Sequence, residues 1–140
     1  ELVLQEQEDT IGRDKLEGAP QSGGTEFTDP DFEKKGEDGE PLIPLDSHLA
    51  MVHPDHNGGA RMLRRGYNYM EGTDSLGRLE GGLMFIAYVR NPQTNFIPIL
   101  KKMSGDAMTE YLQHIATSMW VMPPGVGQGE EYVGQKLFEA

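Results

Sequence analysis

The stretch that decides the fold is LMFIAYV at residues 83–89, a continuous apolar run rich in residues that favour β-structure. Its length and composition are typical of a buried strand rather than of a helix. The segment before it, EGTDSLG at residues 71–77, has the glycine-rich and polar composition of a turn. The sequence therefore predicts a buried strand that follows a turn.

Two helices and a second short strand are predicted after this strand. Asn95 is a suitable N-cap for the first helix, which Gly105 would end. Asp106 is a suitable N-cap for the second helix, which would run to Ile115. Residues 119–122 (MWVM) predict a short strand before a pair of prolines. Strand and helix segments in this order predict an α+β fold packed in two layers.

The N-terminal part of the chain has a different character. Residues 1–12 predict a short helix that Gly12 ends, whereas residues 13–44 are rich in glycine, proline and charge and predict a long irregular connection. Such long loops are unusual in compact domains unless they cover something. We therefore divide the chain into an extended segment, residues 1–44, that wraps over another part of a larger molecule, and a folded domain, residues 45–140.

The charge distribution and the absence of cysteine exclude several classes of function. The net charge is −11, and residues 1–40 hold 13 acidic and 4 basic residues, or −9 of it. A nucleic-acid partner is not expected, because phosphate binding needs a basic surface. No apolar run approaches the roughly 20 residues of a membrane-spanning helix. Without cysteine there are no disulfides or thiolate ligands, so His, carboxylate, Tyr or Met must hold any metal.

Histidines and arginines are the residues that could carry chemistry. His48 lies in an apolar stretch, and such a residue is either a hydrogen-bonded core histidine or a metal ligand. His53 and His56 lie in a loop with Asp55, where they are either solvated or part of a metal site with His48. The pair at residues 64–65 could bind carboxylates or phosphates, or form surface salt bridges.

Several segments in a fixed order resemble the dye-decolourising peroxidases and their deferrochelatase-like relatives. The most specific is MLRRGYNYMEG at residues 62–72. The others are LQEQEDTIGRDKLEGAP at 4–20, EDGEPLIPLDSHLAMVHP at 37–54, GGLMFIAYVRN at 81–91, KKMSGDAMTEYL at 101–112 and MPPGV at 122–126. Together they cover nearly the whole chain.

The resemblance implies a fold, a cofactor and a ligand. The fold is a ferredoxin-like antiparallel sheet with helices on one face, one half of a two-domain arrangement, with residues 45–140 as the haem-binding domain. The cofactor is haem b (iron protoporphyrin IX), and His48, in the D-S-H stretch, is the iron ligand. A carboxylate on the other ring nitrogen would make the imidazole more basic. Glu110 is the first candidate for it and Asp106 the alternative.

The resemblance also implies the residues on the opposite side of the haem. Arg64 is the distal arginine, and its permanent charge would stabilise the oxygen that departs when peroxide is cleaved. Arg65, one position away, would point elsewhere, to a haem propionate or a salt bridge. Leu83 and Phe85 would narrow the distal pocket, a role compatible with ordinary core packing.

The family's distal aspartate, in a G-x-x-D-G motif, has no counterpart in this chain. The similar GEDG at residues 36–39 has one intervening residue too few. The expected function is a peroxidase that uses hydrogen peroxide to oxidise dyes, phenols or other organic donors, with the aspartate supplied by an N-terminal domain or chain. Three origins fit a chain that begins with glutamate: a cleavage product, a separately encoded half or a truncated relative. The alternative function is a non-catalytic haem- or iron-binding module. Association into an oligomer is expected, and relatives are often exported, which the absence of cysteine fits.

Overall fold

A β-hairpin is the longest regular feature of the computed structural model, which describes residues 2–138. Strand β1 (Leu63–Thr73) pairs antiparallel with strand β2 (Leu79–Tyr88), and the register shifts once, between Met70 and Gly72. Gly72 has a φ of 120°, a conformation that favours glycine, so the shift is located where the sequence permits it.

The hairpin turn is closed by one carboxylate. Asp74 Oδ1 accepts hydrogen bonds from the backbone N–H groups of Leu76 and Arg78, at 2.8 and 2.9 Å. The guanidinium of Arg78 also donates to Asp74 Oδ2, at 2.8 Å. The backbone N–H of Arg78 and then its side chain lower the pKa of Asp74, because both favour the charged carboxylate. This turn confirms the one predicted from residues 71–77.

The predicted strand is confirmed by β2, but the prediction that it is buried is wrong. Leu83 is 52% exposed and Phe85 is 48% exposed. In the described residues the sheet has two strands, and the helices pack with one another rather than against it. An apolar run thus predicts the strand itself, whereas its burial requires further layers.

The helices form a small cluster apart from the hairpin. Helix α1 (Leu4–Ile11) contacts helix α2 (His48–Val52) and a 3₁₀ turn at Ala107–Tyr111, and helix α4 (Ile97–Lys102) contacts α2. The buried apolar residues are few, and two of the four are alanines: Ala19, Ile43, Ala50 and Ile99. The hydroxyl of Tyr111 donates to Glu6 Oε1 at 2.9 Å, a contact that raises the pKa of Tyr111 and joins α1 to the turn.

The helix predicted after Asn95 forms as α4, with Pro98 in its first turn, where proline is tolerated. Its N-cap is Phe96 rather than Asn95, and no side chain caps it. A further short helix, α3 (Pro92–Asn95), precedes it and was not predicted. Asn91 is the N-cap of α3, and its Oδ1 accepts from the N–H of Gln93 at 2.9 Å.

The remaining helix and strand predictions are partly wrong. Asp106 caps a helical segment as predicted, but the segment is the short Ala107–Tyr111 turn and does not reach Ile115. Residues 119–122 form no strand, and Trp120 is 85% exposed. A strand needs a hydrogen-bonded neighbour, and within residues 2–138 no sheet edge pairs with this segment.

The N-terminal segment packs against the rest of the chain. Helix α1 ends at Gly12 as predicted, and residues 13–44 are irregular apart from isolated bridges between Arg13 and Pro20 and between Lys35 and Pro41. The ring of Phe32 lies 4.3 Å from that of His56, centroid to centroid. That residues 1–44 also wrap over a further part of a larger molecule stays a prediction. No helix in residues 2–138 is long and apolar enough to cross a membrane.

Ile43, only 1% exposed, tests how much the helical cluster depends on this segment. Ile43→Ala is expected to lower the free energy of unfolding by roughly 2–4 kcal/mol, because it leaves a cavity in a small core. Urea unfolding followed by far-ultraviolet circular dichroism measures the change. The control is Leu16→Ala, because Leu16 is 92% exposed, with an expected change below about 0.5 kcal/mol. Equal effects of the two substitutions would contradict the assignment of Ile43 to the core.

Candidate functional site

A histidine and a carboxylate far apart in sequence meet at the centre of the helical cluster. The Nδ1 atom of His48 lies 2.6 Å from Oδ2 of Asp106. The Asp106 side chain is completely buried, whereas that of His48 is 21% exposed. The arrangement thus combines a buried carboxylate with an imidazole that retains access to its surroundings.

His48 is placed by the residue before it. Ser47 is the N-cap of α2, and its Oγ accepts from the N–H of Ala50 at 3.3 Å. Ser47 is fully buried. Because Ser47 occupies the N-cap position, His48 is the first residue of this short helix. The sequence signal for this placement is the serine itself, because serine is among the preferred N-cap residues.

The second carboxylate oxygen of Asp106 forms a hydrogen bond within its own segment. Its Oδ1 accepts from the N–H of Met108 at 2.9 Å, which caps the Ala107–Tyr111 turn. The N–H of Ala107 donates to the carbonyl of Asp46 at 2.9 Å, so the two segments that carry the pair are also joined through the backbone. A buried carboxylate requires such donors, because desolvation would otherwise cost several kcal/mol.

Glu110, the first candidate for the carboxylate beside His48, does not occupy that position. Its side chain is exposed on the 107–111 turn, and the contact to Nδ1 belongs to Asp106, the alternative. The reason is that Asp106 lies at the N-cap, where the chain turns back toward α2 and the carboxylate faces inward.

The geometry determines which ring nitrogen can bind a metal. Both oxygens of Asp106 face nitrogen atoms, so an ionised carboxylate that accepts two hydrogen bonds fits best. In the neutral ring, Nδ1 then carries the proton and Nε2 presents its lone pair. Within residues 2–138, Nε2 has no hydrogen-bond partner. This is the tautomer and orientation that carboxylate-bound histidine ligands of metals adopt.

The hairpin brings three of the predicted distal residues onto one face. In the register, Gly66 is opposite Phe85, Asn68 is opposite Leu83, and Arg64 lies two residues before Gly66. Side chains of paired residues share a face, and successive residues alternate. Arg64, Leu83 and Phe85 therefore lie on the same face.

Arg65 lies on the other face of the hairpin. It pairs with Ile86, and its Nη1 donates to the carbonyl of Arg64 at 3.1 Å. The two arginines cannot act on one small ligand from the same face. This alternation agrees with the expectation that Arg65 points away from the position of Arg64.

The histidine centre and the hairpin face remain separate in the described part of the chain. No hydrogen bond or ion pair joins Arg64 to His48 or Asp106, and the hairpin face is open to solvent over Leu83 and Phe85. Residues 2–138 thus contain both sets of side chains, but not the packing that would close a pocket between them.

The alternative of a non-haem metal site at His48, His53 and His56 is wrong. In residues 2–138 no group of three or more His, Cys, Asp or Glu side chains could hold a metal ion. His56 Nδ1 lies 2.9 Å from the carbonyl of Ala50, and His53 Nδ1 accepts from the N–H of Asp55 at 3.4 Å. Both rings also pack against Phe32, which the sequence did not single out.

Comparison with known proteins shows which family the chain resembles over most of its length. The family model described as "Dyp-type peroxidase, C-terminal" matches residues 1–127. A dye-decolorizing peroxidase of Thermobifida fusca is 38% identical over 99% of this chain and 32% of its own length. A deferrochelatase of Yersinia pestis is 35% identical over 98% of this chain and 32% of its own length.

Solved structures give the same result for the fold. Ferric DtpA from Streptomyces lividans has a TM-score of 0.91 and 42% identity, covering 99% of this chain and 38% of that one. A DyP-type peroxidase from Cellulomonas bogoriensis has a TM-score of 0.80 and 32% identity, with the same coverage. The expected α+β, ferredoxin-like class is confirmed. The chain spans about a third of the length of these relatives.

The Asp106→Asn variant tests the tautomer assigned to His48. An amide has one acceptor, so an asparagine that still caps the turn must present its NH₂ group to Nδ1, which moves the ring proton to Nε2. We expect ¹⁵N NMR of the ring nitrogens to show an Nδ1–H tautomer in the unsubstituted chain and an Nε2–H tautomer in the variant. The exposed neighbour Asp46→Asn is the control. An Nδ1–H signal retained together with an unchanged Met108 amide would reject the assignment.

Proposed function

The chain belongs to the Dyp-type peroxidase family, and from this premise we propose that it is the haem-ligating C-terminal part of a peroxidase. The complete unit would use hydrogen peroxide to oxidise dyes, phenols or other organic donors. The observation that carries the proposal is the bond between His48 and the buried carboxylate of Asp106.

The donor set fits haem b better than a metal ion held by protein alone. A single imidazole with a free Nε2 would be sufficient to hold an iron whose four other nitrogen ligands come from a porphyrin. The absence of a further cluster of ligands in residues 2–138 rules against a site made only of side chains there. Haem bound at Nε2 would supply a redox-active iron at which peroxide is cleaved.

Asp106 has a defined role in this proposal. It accepts the proton of Nδ1 and so holds the ring of His48 in one tautomer and one orientation. It also makes the imidazole a stronger electron donor. Because Asp106 is itself held by the N–H of Met108, the ring orientation follows from the backbone of a separate segment.

Arg64, Leu83 and Phe85 are proposed to form the wall opposite His48. The guanidinium of Arg64 keeps its charge and would stabilise the negative charge that develops on the departing oxygen of peroxide. Leu83 and Phe85, on the same hairpin face, would exclude water and bulky molecules from that oxygen. Arg65, on the other face, would bind a haem propionate or form a salt bridge.

The proposal requires a further domain or chain. Leu83 and Phe85 are about half exposed, and the large apolar side chains of residues 112–122 are more than half exposed. Monomeric proteins rarely leave so much apolar surface in contact with water. The chain also spans only about a third of its relatives. We propose that an N-terminal domain or chain covers this surface and contributes the distal aspartate, and that the assembled unit is an oligomer.

The alternative is a haem- or iron-binding module without peroxidase turnover. One observation favours it: relatives that are 35% identical over nearly the whole chain are named deferrochelatases. The same His48 would bind haem, but the assembled unit would lack a distal aspartate. The sequence directly upstream of this chain distinguishes the two functions through the presence or absence of a G-x-x-D-G motif.

The His48→Ala variant tests the ligand assignment. In the full-length protein that contains this chain, we expect loss of the Soret absorption after purification in the presence of haem, because the iron would lose its imidazole ligand. His53→Ala, in the neighbouring loop, is the matched control and should retain the band. A His48→Ala protein with bound haem and an unchanged spectrum would refute the assignment.

The Arg64→Leu variant tests the distal wall. We expect haem to stay bound while peroxide-driven oxidation of a dye slows by about 100-fold, the scale of losing one charged transition-state contact. Steady-state kinetics with peroxide as the varied substrate measures the loss. Arg78→Leu, at the exposed turn of the same hairpin, should have little effect on the rate. Undiminished turnover in Arg64→Leu would remove this residue from the mechanism.

A further inference from the structure

Gly12, at the end of α1, lies against the segment that carries His48. A Cβ atom built on Gly12 would be 2.8 Å from Ser47 Oγ and 2.9 Å from Leu49 Cβ. Both distances are shorter than real Cβ contacts. Ser47 and Leu49 are the residues on either side of His48 in the sequence, so Gly12 lies against the two neighbours of the histidine.

The backbone of Gly12 has a second requirement for glycine. Its φ is 85°, in the left-handed region, and its N–H donates to the carbonyl of Glu8 at 2.6 Å to end α1. Any other residue would be strained at this φ. The lack of space for a Cβ atom and the left-handed backbone conformation are two separate reasons for glycine at position 12. Experiment can distinguish them.

Other contacts hold both α1 and the segment of Ser47 in place, so neither can move away from the other. On one side, α1 is joined to the 107–111 turn by the bond from Tyr111 to Glu6, and Gln21 donates to the carbonyl of Gly12 at 3.2 Å. On the other side, Ser47 is completely buried and caps α2. A side chain at position 12 would therefore displace Ser47 and Leu49, together with the histidine between them.

We propose that Gly12 is a positioning residue for His48. By allowing α1 to contact the first turn of α2, it sets the distance and angle between the imidazole and Asp106, and so the donor strength of Nε2. Residues 1–12 are then part of the scaffold of the metal ligand and not only a connection. This inference rests on the proposed function, because it concerns His48 as the iron ligand.

The test uses Gly12→Ala in the full-length haem-loaded protein. Displacement of His48 weakens the bond to Asp106, which makes the imidazole a poorer donor. We expect the iron–histidine stretching band of the ferrous protein, measured by resonance Raman, to move to lower frequency. We also expect the Fe(III)/Fe(II) reduction potential to rise, because a weaker donor stabilises the oxidised iron less.

The chain contains a matched control for backbone strain. Gly39 has a φ of 84°, nearly identical to that of Gly12, and a Cβ built on it would have nothing within 4 Å. Gly39→Ala thus introduces the same strained conformation without a steric contact at α2. We expect its stretching frequency and potential to equal those of the unsubstituted protein. Equal shifts in Gly12→Ala and Gly39→Ala would overturn the proposal.

A second variant adds volume at the same contact from the α2 side instead of the α1 side. Ser47→Thr keeps the hydroxyl that caps α2 and adds a methyl group to a fully buried side chain. It should shift the band in the same direction, and it replaces Gly12→Ala if that protein does not fold. A folded variant, Gly12→Ala or Ser47→Thr, with unchanged band and potential would overturn the role of this contact.

The outcome for His48→Ala separates failure of this inference from failure of the proposed function. Loss of haem in His48→Ala, with no band shift in Gly12→Ala or Ser47→Thr, rejects only the positioning role. Retention of haem with an unchanged spectrum in His48→Ala rejects the ligand assignment, and the positioning role with it.

Discussion

The hydrogen bond between His48 and Asp106 is the interaction on which the helical cluster of the described structure depends. It joins two short segments that have little regular structure of their own, and it does so with a fully buried carboxylate. Removing one partner from such a buried pair costs about 3–5 kcal/mol in general. The carboxylate can be buried because the N–H of Met108 satisfies its second oxygen. The backbone bond from Ala107 to Asp46 also joins the two segments that carry the pair. Polar contacts thus organise a cluster whose apolar core is small.

The N-terminal segment reinforces the same centre. Gly12 contacts the residues beside His48, Phe32 covers the loop that follows α2, and Tyr111 joins α1 to the turn that carries Asp106. None of these contacts requires long helices or a large core. They require close approach at particular positions, which explains why an irregular segment with many glycines can have a defined place in the structure.

The hairpin obeys a different constraint. Its register puts Arg64, Leu83 and Phe85 on one face, yet both faces remain open because the described residues add no third strand and no helix layer. A two-stranded sheet is at best marginally stable alone in water. The hairpin is therefore understood best as part of a larger sheet, in agreement with relatives that are about three times as long.

The sequence by itself determined the family, the α+β class, the strand at residues 83–89, the end of α1 at Gly12 and the polar turn of the hairpin. These features follow from local patterns: an apolar run, a glycine in the left-handed region and a carboxylate that accepts turn N–H groups. The alternation of side chains along a strand likewise made it predictable that Arg64 and Arg65 point in different directions.

Only the tertiary structure decided which carboxylate meets His48, how far the helices extend and which predicted strands form. Asp106 and Glu110 both carry a carboxylate group. Which of them meets His48 depends on the N-cap geometry of the 107–111 turn. The predicted helix has Phe96 instead of Asn95 as its N-cap, and the short helix α3 before it was not predicted. Residues 119–122 have strand-like composition but no partner edge in the described chain. The contact between Gly12 and Ser47 left no local signal, because it joins residues that are distant in sequence and close only after folding.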